Sequence, residues 1–186
     1  MGNADTDRRG EASLAQGDPW VVPARAPILV MAVGNLLRGD DGFAEAVLAA
    51  LAERDLPETV ELFDAGTSAI DLMEIFDRRD RLIVLDAVRG GAAPGTLYRF
   101  SPEEVEAQAL PMNSLHQVGL LETLRLGELV NCKPKETVVI GVQPQDTALG
   151  IGLSPVVAAA VEKAVELVLQ EIYSQGRPPG RPHAPL

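Results

Sequence analysis

Residues 28–43 read ILVMAVGNLLRGDDGF, and how this stretch is divided decides the fold. The part from 28 to 34 is a continuous apolar run closed by Gly34, the pattern of a strand buried on both faces. From 41 to 54, Phe43, Val47 and Leu51 recur at i, i+4 and i+8, the spacing of an amphipathic helix. A doubly buried strand feeding such a helix opens an α/β unit. Two adjacent aspartates, Asp40 and Asp41, stand at the hinge. Asp40 reads as the helix N-cap, a role worth about 0.5–2 kcal/mol and favourable with the helix dipole. For Asp41, one position further in, capping and metal ligation stay open on local grounds.

The same alternation continues outward. VELFDAGT (60–67) reads as a strand, and Ser68 with Asp71 resembles a capping box opening a helix through about Phe76. RLIVLDAV (81–88) is a third strand, again buried. GTLYRF (95–100) alternates in polarity and follows Pro94-Gly95, as an edge strand reached by a tight connection does. TVVIGVQ (137–143) is the fifth. Ser154-Pro155 supplies an N-cap and an N1 proline for a helix carrying Val157, Val161, Ala164, Val168 and Ile172 on one face. Strands near 28–34, 60–65, 81–87, 95–100 and 137–143 alternating with helices define a three-layer αβα domain.

The chain of 186 residues suits one domain, here 25–174, and its 46% hydrophobic content is that of a globular protein. Residues 1–24 are polar without sustained periodicity, and QGRPPGRPHAPL (175–186) is rich in Pro and Gly; both are expected to be flexible tails, with His183 solvated. A net charge of −11 argues against nucleic acid or an anionic membrane surface as partner, since both call for clustered Lys and Arg. One cysteine, Cys132, cannot form an internal disulfide. No apolar run approaches the roughly 18 residues of a membrane span, and the polar N-terminus has no signal-peptide core. A cytoplasmic protein is expected.

In open α/β sheets the crevice lies outside the carboxyl ends of the parallel strands. Asp41 follows the first strand, Asp64 ends the second, and Asp86 ends the third; right-handed crossovers bring these ends to one edge. Three acids there raise one another's pKa unless a cation or basic group sits among them. Asp64 could instead bond turn amides in DAGT. Asp86 closes a strand buried on both faces, and a buried carboxylate needs a partner. His116, in NSLHQVGLLETL, begins another amphipathic helix and reads either as a structural histidine or as the third ligand of a site with open coordination positions. Imidazole with oxygen ligands suits nickel, zinc and related borderline cations. Cys132, in NCKPKE, reads as a plain loop residue. No nucleophile elbow is present, and GNLLRGDDG puts acids where a phosphate loop would hold phosphate.

Taken together, GNLLRGDDG (34–42), DAGT (64–67), LDAV (85–88) and HQVGL (116–120) resemble the hydrogenase maturation endopeptidases in order and spacing, over residues 28 to about 173. That family trims the C-terminal extension from the nickel–iron hydrogenase large subunit once nickel is in place. The resemblance implies metal binding at Asp41, Asp86 and His116, with Asp64 in the aspartate position associated with nickel recognition, where this chain has DAGT for the family's DGGT. It implies nickel supplied by the substrate, with zinc or cadmium able to substitute in vitro, and a nickel-loaded large-subunit precursor as partner of a monomeric enzyme. Asp41, Asp86, His116 and Asp64 would form the catalytic set, Asp64 or a spare carboxylate acting as base. The implied sheet is five-stranded and mixed. Residues 95–100 would be its antiparallel strand, because the connection from 81–88 is too short for a helical crossover. Two other classes share the ligand set: a chaperone that checks nickel loading without cutting, and a general metallopeptidase with its own zinc.

Overall fold

The structure is a computed structural model that describes residues 25–67, 73–104 and 115–174; at 73–74 and 115–121 it describes the backbone alone. The two tails and the capping pair Ser68 and Asp71 lie outside the described residues. Five strands form one sheet: β1 (Ile28–Ala32), β2 (Val60–Asp64), β3 (Arg81–Ala87), β4 (Leu97–Phe100) and β5 (Glu136–Val142), in the order β2-β1-β3-β5-β4. β2, β1, β3 and β5 are parallel, and β4 runs antiparallel on β5, as the short connection from β3 requires.

Alternation along the strands sorts side chains into two cores. Ile28, Val30 and Ala32 share one face with Ile83, Leu85, Val138, Ile140 and Val142. Against it pack Phe43, Val47 and Leu51 of α1 (Phe43–Ala52) and Ala164, Val165, Val168 and Ile172 of the C-terminal helix. Leu29, Met31, Val33, Leu82, Val84 and Val139 point the other way, onto Phe76 of α2 (Met73–Phe76) and Leu124 of α3 (Leu115–Leu129). Every residue of β1 is buried, which is why its sequence shows no polar alternation.

Two helix boundaries differ from the sequence reading. α1 begins at Phe43, and a 3-10 turn over Gly39–Gly42 precedes it, because both aspartates of the hinge are engaged before the helix starts. The C-terminal helix is two pieces, α4 (Pro155–Ala158) and α5 (Val161–Tyr173). Their junction is tightened by an Ala160 N–H bond to the Val157 carbonyl, three residues back. The apolar face carries across the break: Val157, Ala164, Val168 and Ile172 are all buried.

Charges gather at the amino ends of the parallel strands. The buried Glu171 of α5 meets Arg99 Nε at 2.6 Å and Arg81 at 3.2 Å, and Arg81 also reaches Glu136 at 3.3 Å. Arg79, its side chain fully enclosed, donates to the Ile75 and Ala26 carbonyls and faces Glu61 at 2.7 Å. The opposite end of the sheet carries the aspartates.

Candidate active site

From β1 the chain crosses by α1 to β2 on one side, while β3 lies on the other, so the sheet's order reverses at β1. The crevice beyond the carboxyl ends of β1 and β3 is where such folds bind ligands. Residues 34–42 drape over it. Gly34 N–H bonds the Gly66 carbonyl at 3.0 Å, tying the loops after β1 and β2, and Asn35 N–H bonds the Asp41 carbonyl at 3.2 Å. A Cβ on Gly34 would stand 2.2 Å from that Asp41 carbonyl oxygen and 3.0 Å from Glu45 Oε2. No other residue fits there, so Gly34 fixes how closely Asp41's backbone approaches the strand end.

Asp40 is not a cap of α1. Neither the 3-10 turn nor α1 has a side-chain cap, and Asp40 reaches across to the loop that follows β5. Its Oδ2 accepts from the N–H groups of Gln145 (2.8 Å) and Asp146 (2.9 Å) and from the Ser154 hydroxyl (3.0 Å), and its Oδ1 accepts from Ser154 N–H at 2.7 Å. The residue is 1% exposed. Burial alone would push its carboxyl up, but the backbone N–H bonds from Asp146, Ser154 and Gln145, with the Ser154 hydroxyl, outweigh it and hold the pKa below the ordinary value. Ser154 does occupy the N-cap position of α4, with Pro155 following, yet its hydroxyl is given to Asp40 and not to the helix.

Asp41, in the same turn, is buried at 9% exposure, and Asp86 at 2%. Asp86 sits inside the β3 ladder, paired with Gly141, and not on a loop. Alternation puts it on the side of Leu82 and Val84, the face covered by α2 and α3. The 3-10 turn carrying Asp41 packs against β3. His116 is the second residue of α3, whose side chain there lies outside the description. The helix ends near the amino end of β5, and its length of about 22 Å matches the height of the sheet. Leu124, in the second half of the helix, packs on the face of the sheet that also carries Asp86.

Asp64 is placed differently. It closes β2, with Val60 and Leu62 of its face turned toward the α1 side, and β1 separates it from β3, about 10 Å away. It is exposed, and its Oδ1 accepts from Gly66 N–H at 2.8 Å, an Asx turn. The positive φ that turn needs falls on Gly66, so Ala65 is unstrained and packs on the second core. Among the described residues, no three His, Cys, Asp or Glu side chains converge as a metal cage. Cys132 is half-buried in the loop after α3.

Gln143 escaped the sequence reading. Its Oε1 accepts from Gly90 N–H and Gly91 N–H, each at 3.0 Å, and from the Tyr98 hydroxyl at 2.9 Å, organising the loop after β3. A polar residue closing the apolar run TVVIGV was the available signal. With Asp40, it joins the loops after β1, β3 and β5 into one hydrogen-bonded rim.

The family model "Hydrogenase maturation protease" matches residues 46–171. The hydrogenase 2 maturation protease of Escherichia coli (strain K12) is 37% identical over 151 residues, covering 80% of this chain and 92% of that protein. The hydrogenase expression/formation protein HoxM of Azotobacter vinelandii is 38% identical over 152 residues, covering 80% and 73%. Among solved structures, the hydrogenase maturating endopeptidase HybD from E. coli superposes with a TM-score of 0.74 at 37% identity, over 82% of this chain and 94% of that one. The [NiFe] hydrogenase maturation protease HybD from Thermococcus kodakarensis gives 0.68 at 29% identity, over 80% and 99%. The chain belongs to the hydrogenase maturation protease family, and it is by that membership a peptidase. Its family acts on hydrogenase precursors, the kind of partner the sequence resemblance implied.

Proposed function

We propose that the protein removes the C-terminal extension of a nickel–iron hydrogenase large-subunit precursor, reading the nickel that the precursor carries. The observation that carries this reading is the burial of Asp41 and Asp86 at the switch point between β1 and β3, in a hydrogenase maturation protease. Two carboxylates there suit a cation delivered from outside, with His116 in the first turn of α3 as the third donor. Nickel is then part of the substrate. Held at this edge it would polarise the scissile carbonyl or activate a water, while Asp41 and Asp86 orient it. Asp64, exposed at the outer strand and anchored through one oxygen, is available to the incoming peptide as base or as the contact that registers the metal. Zinc or cadmium would occupy the same donors in vitro.

Family membership favours cutting over a chaperone that only checks nickel. Among the described residues no helix is long and apolar enough to cross a membrane; a monomer acting in the cytoplasm belongs with this proposal. The test is incubation with nickel-loaded and nickel-free precursor, followed by mass analysis of the precursor's C-terminus. Trimming that requires nickel in the precursor is expected. Asp86→Asn, Asp41→Asn and His116→Ala should each abolish it while the variants remain folded by circular dichroism. A purified protein that carries stoichiometric zinc and cuts metal-free peptides would return the general metallopeptidase.

A further inference from the structure

Four large apolar side chains stand in solvent beside the aspartates. Leu36 and Leu37, in the loop after β1, are 57% and 59% exposed; Leu149 and Ile151, in the loop after β5, are 84% and 87% exposed. The two loops are one unit. Arg38 and Gly150 form an isolated parallel bridge, with Gly39 N–H on the Gly150 carbonyl at 2.8 Å and Gly150 N–H on the Leu37 carbonyl at 2.9 Å. The Asp40 carboxylate locks the base of both through Gln145, Asp146 and Ser154. These side chains are therefore exposed on a fixed backbone, and not on a loop that could fold them inward. Exposed apolar groups so gathered mark an interaction surface.

We infer that Leu36, Leu37, Leu149 and Ile151 form the docking surface for an apolar patch on the folded body of the precursor, separate from the peptide that is cut. This rests on the proposed function. The occupant follows from continuity with the cleavage edge. Leu36 lies against Gly42, where an added Cβ would meet its Cδ2 at 3.3 Å, and Gly42 adjoins Asp41. Leu36 and Leu37 share a loop with Asp41, and that loop is bridged to 149–151, so a protein whose chain reaches Asp41 passes beside all four side chains. The four exposed apolar side chains are the part of this surface whose burial would hold a complex. Arg38, exposed between the two leucines and the 149–151 loop, supplies the polar contact that such surfaces commonly include.

The experiment uses the full chain with Leu36, Leu37, Leu149 and Ile151 all changed to Ser, and a second variant with Leu149→Ser and Ile151→Ser alone. Rates of trimming are measured against the concentration of nickel-loaded precursor, and precursor binding is measured separately by light scattering. The fourfold variant is expected to raise KM by about tenfold or more with kcat within about twofold, and the pair to fall between it and the parent. An unchanged KM and unchanged binding in a fourfold variant that melts like the parent overturns the inference. So does a parent that sediments as a dimer which the variant dissolves, since the surface would then join two copies. If the parent binds precursor without trimming it, the proposed function fails; weaker binding by the variant would still support the surface, and equal binding would sink that too.

Discussion

Asparagine is the informative replacement for Asp40, because it keeps the shape and halves the accepting capacity. Oδ1 and Oδ2 both face N–H donors, so an amide NH2 must oppose either Ser154 N–H or the pair from Gln145 and Asp146. Asp40→Asn and Asp40→Ala should both cost about 2–4 kcal/mol, since each strands buried donors; equal stability of the Asp40→Asn variant and the parent in urea unfolding would refute this. The acid form of the native residue tests the same point. Asp40's pKa is lowered on folding, so its contribution is present above the unfolded value and lost as pH falls through the folded one, below about pH 4. Stability of the parent minus that of Asp40→Asn, followed against pH, should shrink on acidification and stay flat above about pH 5. The sequence could show that Asp41, Asp64 and Asp86 follow or end parallel strands; it could not show that Asp64 stands on the opposite face of the sheet from Asp86, with β1 between their strands. It could not show Asp40's partners, which lie 105 to 114 residues away, because a local pattern carries only local caps.

At the scale of elements, the strand β1 and the turn after it meet through Gly34. Gly34→Ala should drive the Asp41 carbonyl out of its place, costing about 1–3 kcal/mol by overpacking and abolishing trimming; a crystal structure with Asp41 unmoved and normal rates would refute the close-approach account. All five strands were legible, because the central strands β1, β3 and β5 write themselves as apolar runs and the two edge strands, β2 and β4, as apolar residues interrupted by charged ones. The antiparallel sense of β4 followed from connection length. The helix ends were less so. Ser154-Pro155 marks the start of α4 correctly, but nothing in the apolar spacing from Val157 to Ile172 betrays the break before α5, because both pieces keep the same buried face.

Over the whole molecule, the two ends of the sheet divide the labour. The amino ends are knitted by Glu171 with Arg81 and Arg99, and the carboxyl ends carry the aspartates and the apolar rim. Glu171→Ala takes the shared carboxylate from Arg99 and leaves Arg81 with Glu136 alone, and should cost about 1–3 kcal/mol. Trimming per folded molecule, measured well below the melting temperature, should be unchanged. A Glu171→Ala protein of full stability, or one that is stable and inactive, would show the division to be wrong. The charged end was not legible as a network, because its members come from β3, β4, β5 and α5 and meet only in space.

The lock between Asp40 and the 145–154 loop has a consequence for timing. Asp41 emerges early in synthesis, yet its neighbour's anchor is not made until Ser154 has left the ribosome, more than a hundred residues later. A nascent chain that has folded its first three strands holds the acids without the clamp that sets them, and the Leu149 and Ile151 part of the rim does not yet exist. Such long-range closure is a late event in folding. The clamp on Asp40 and the complete apolar rim therefore belong only to the finished domain.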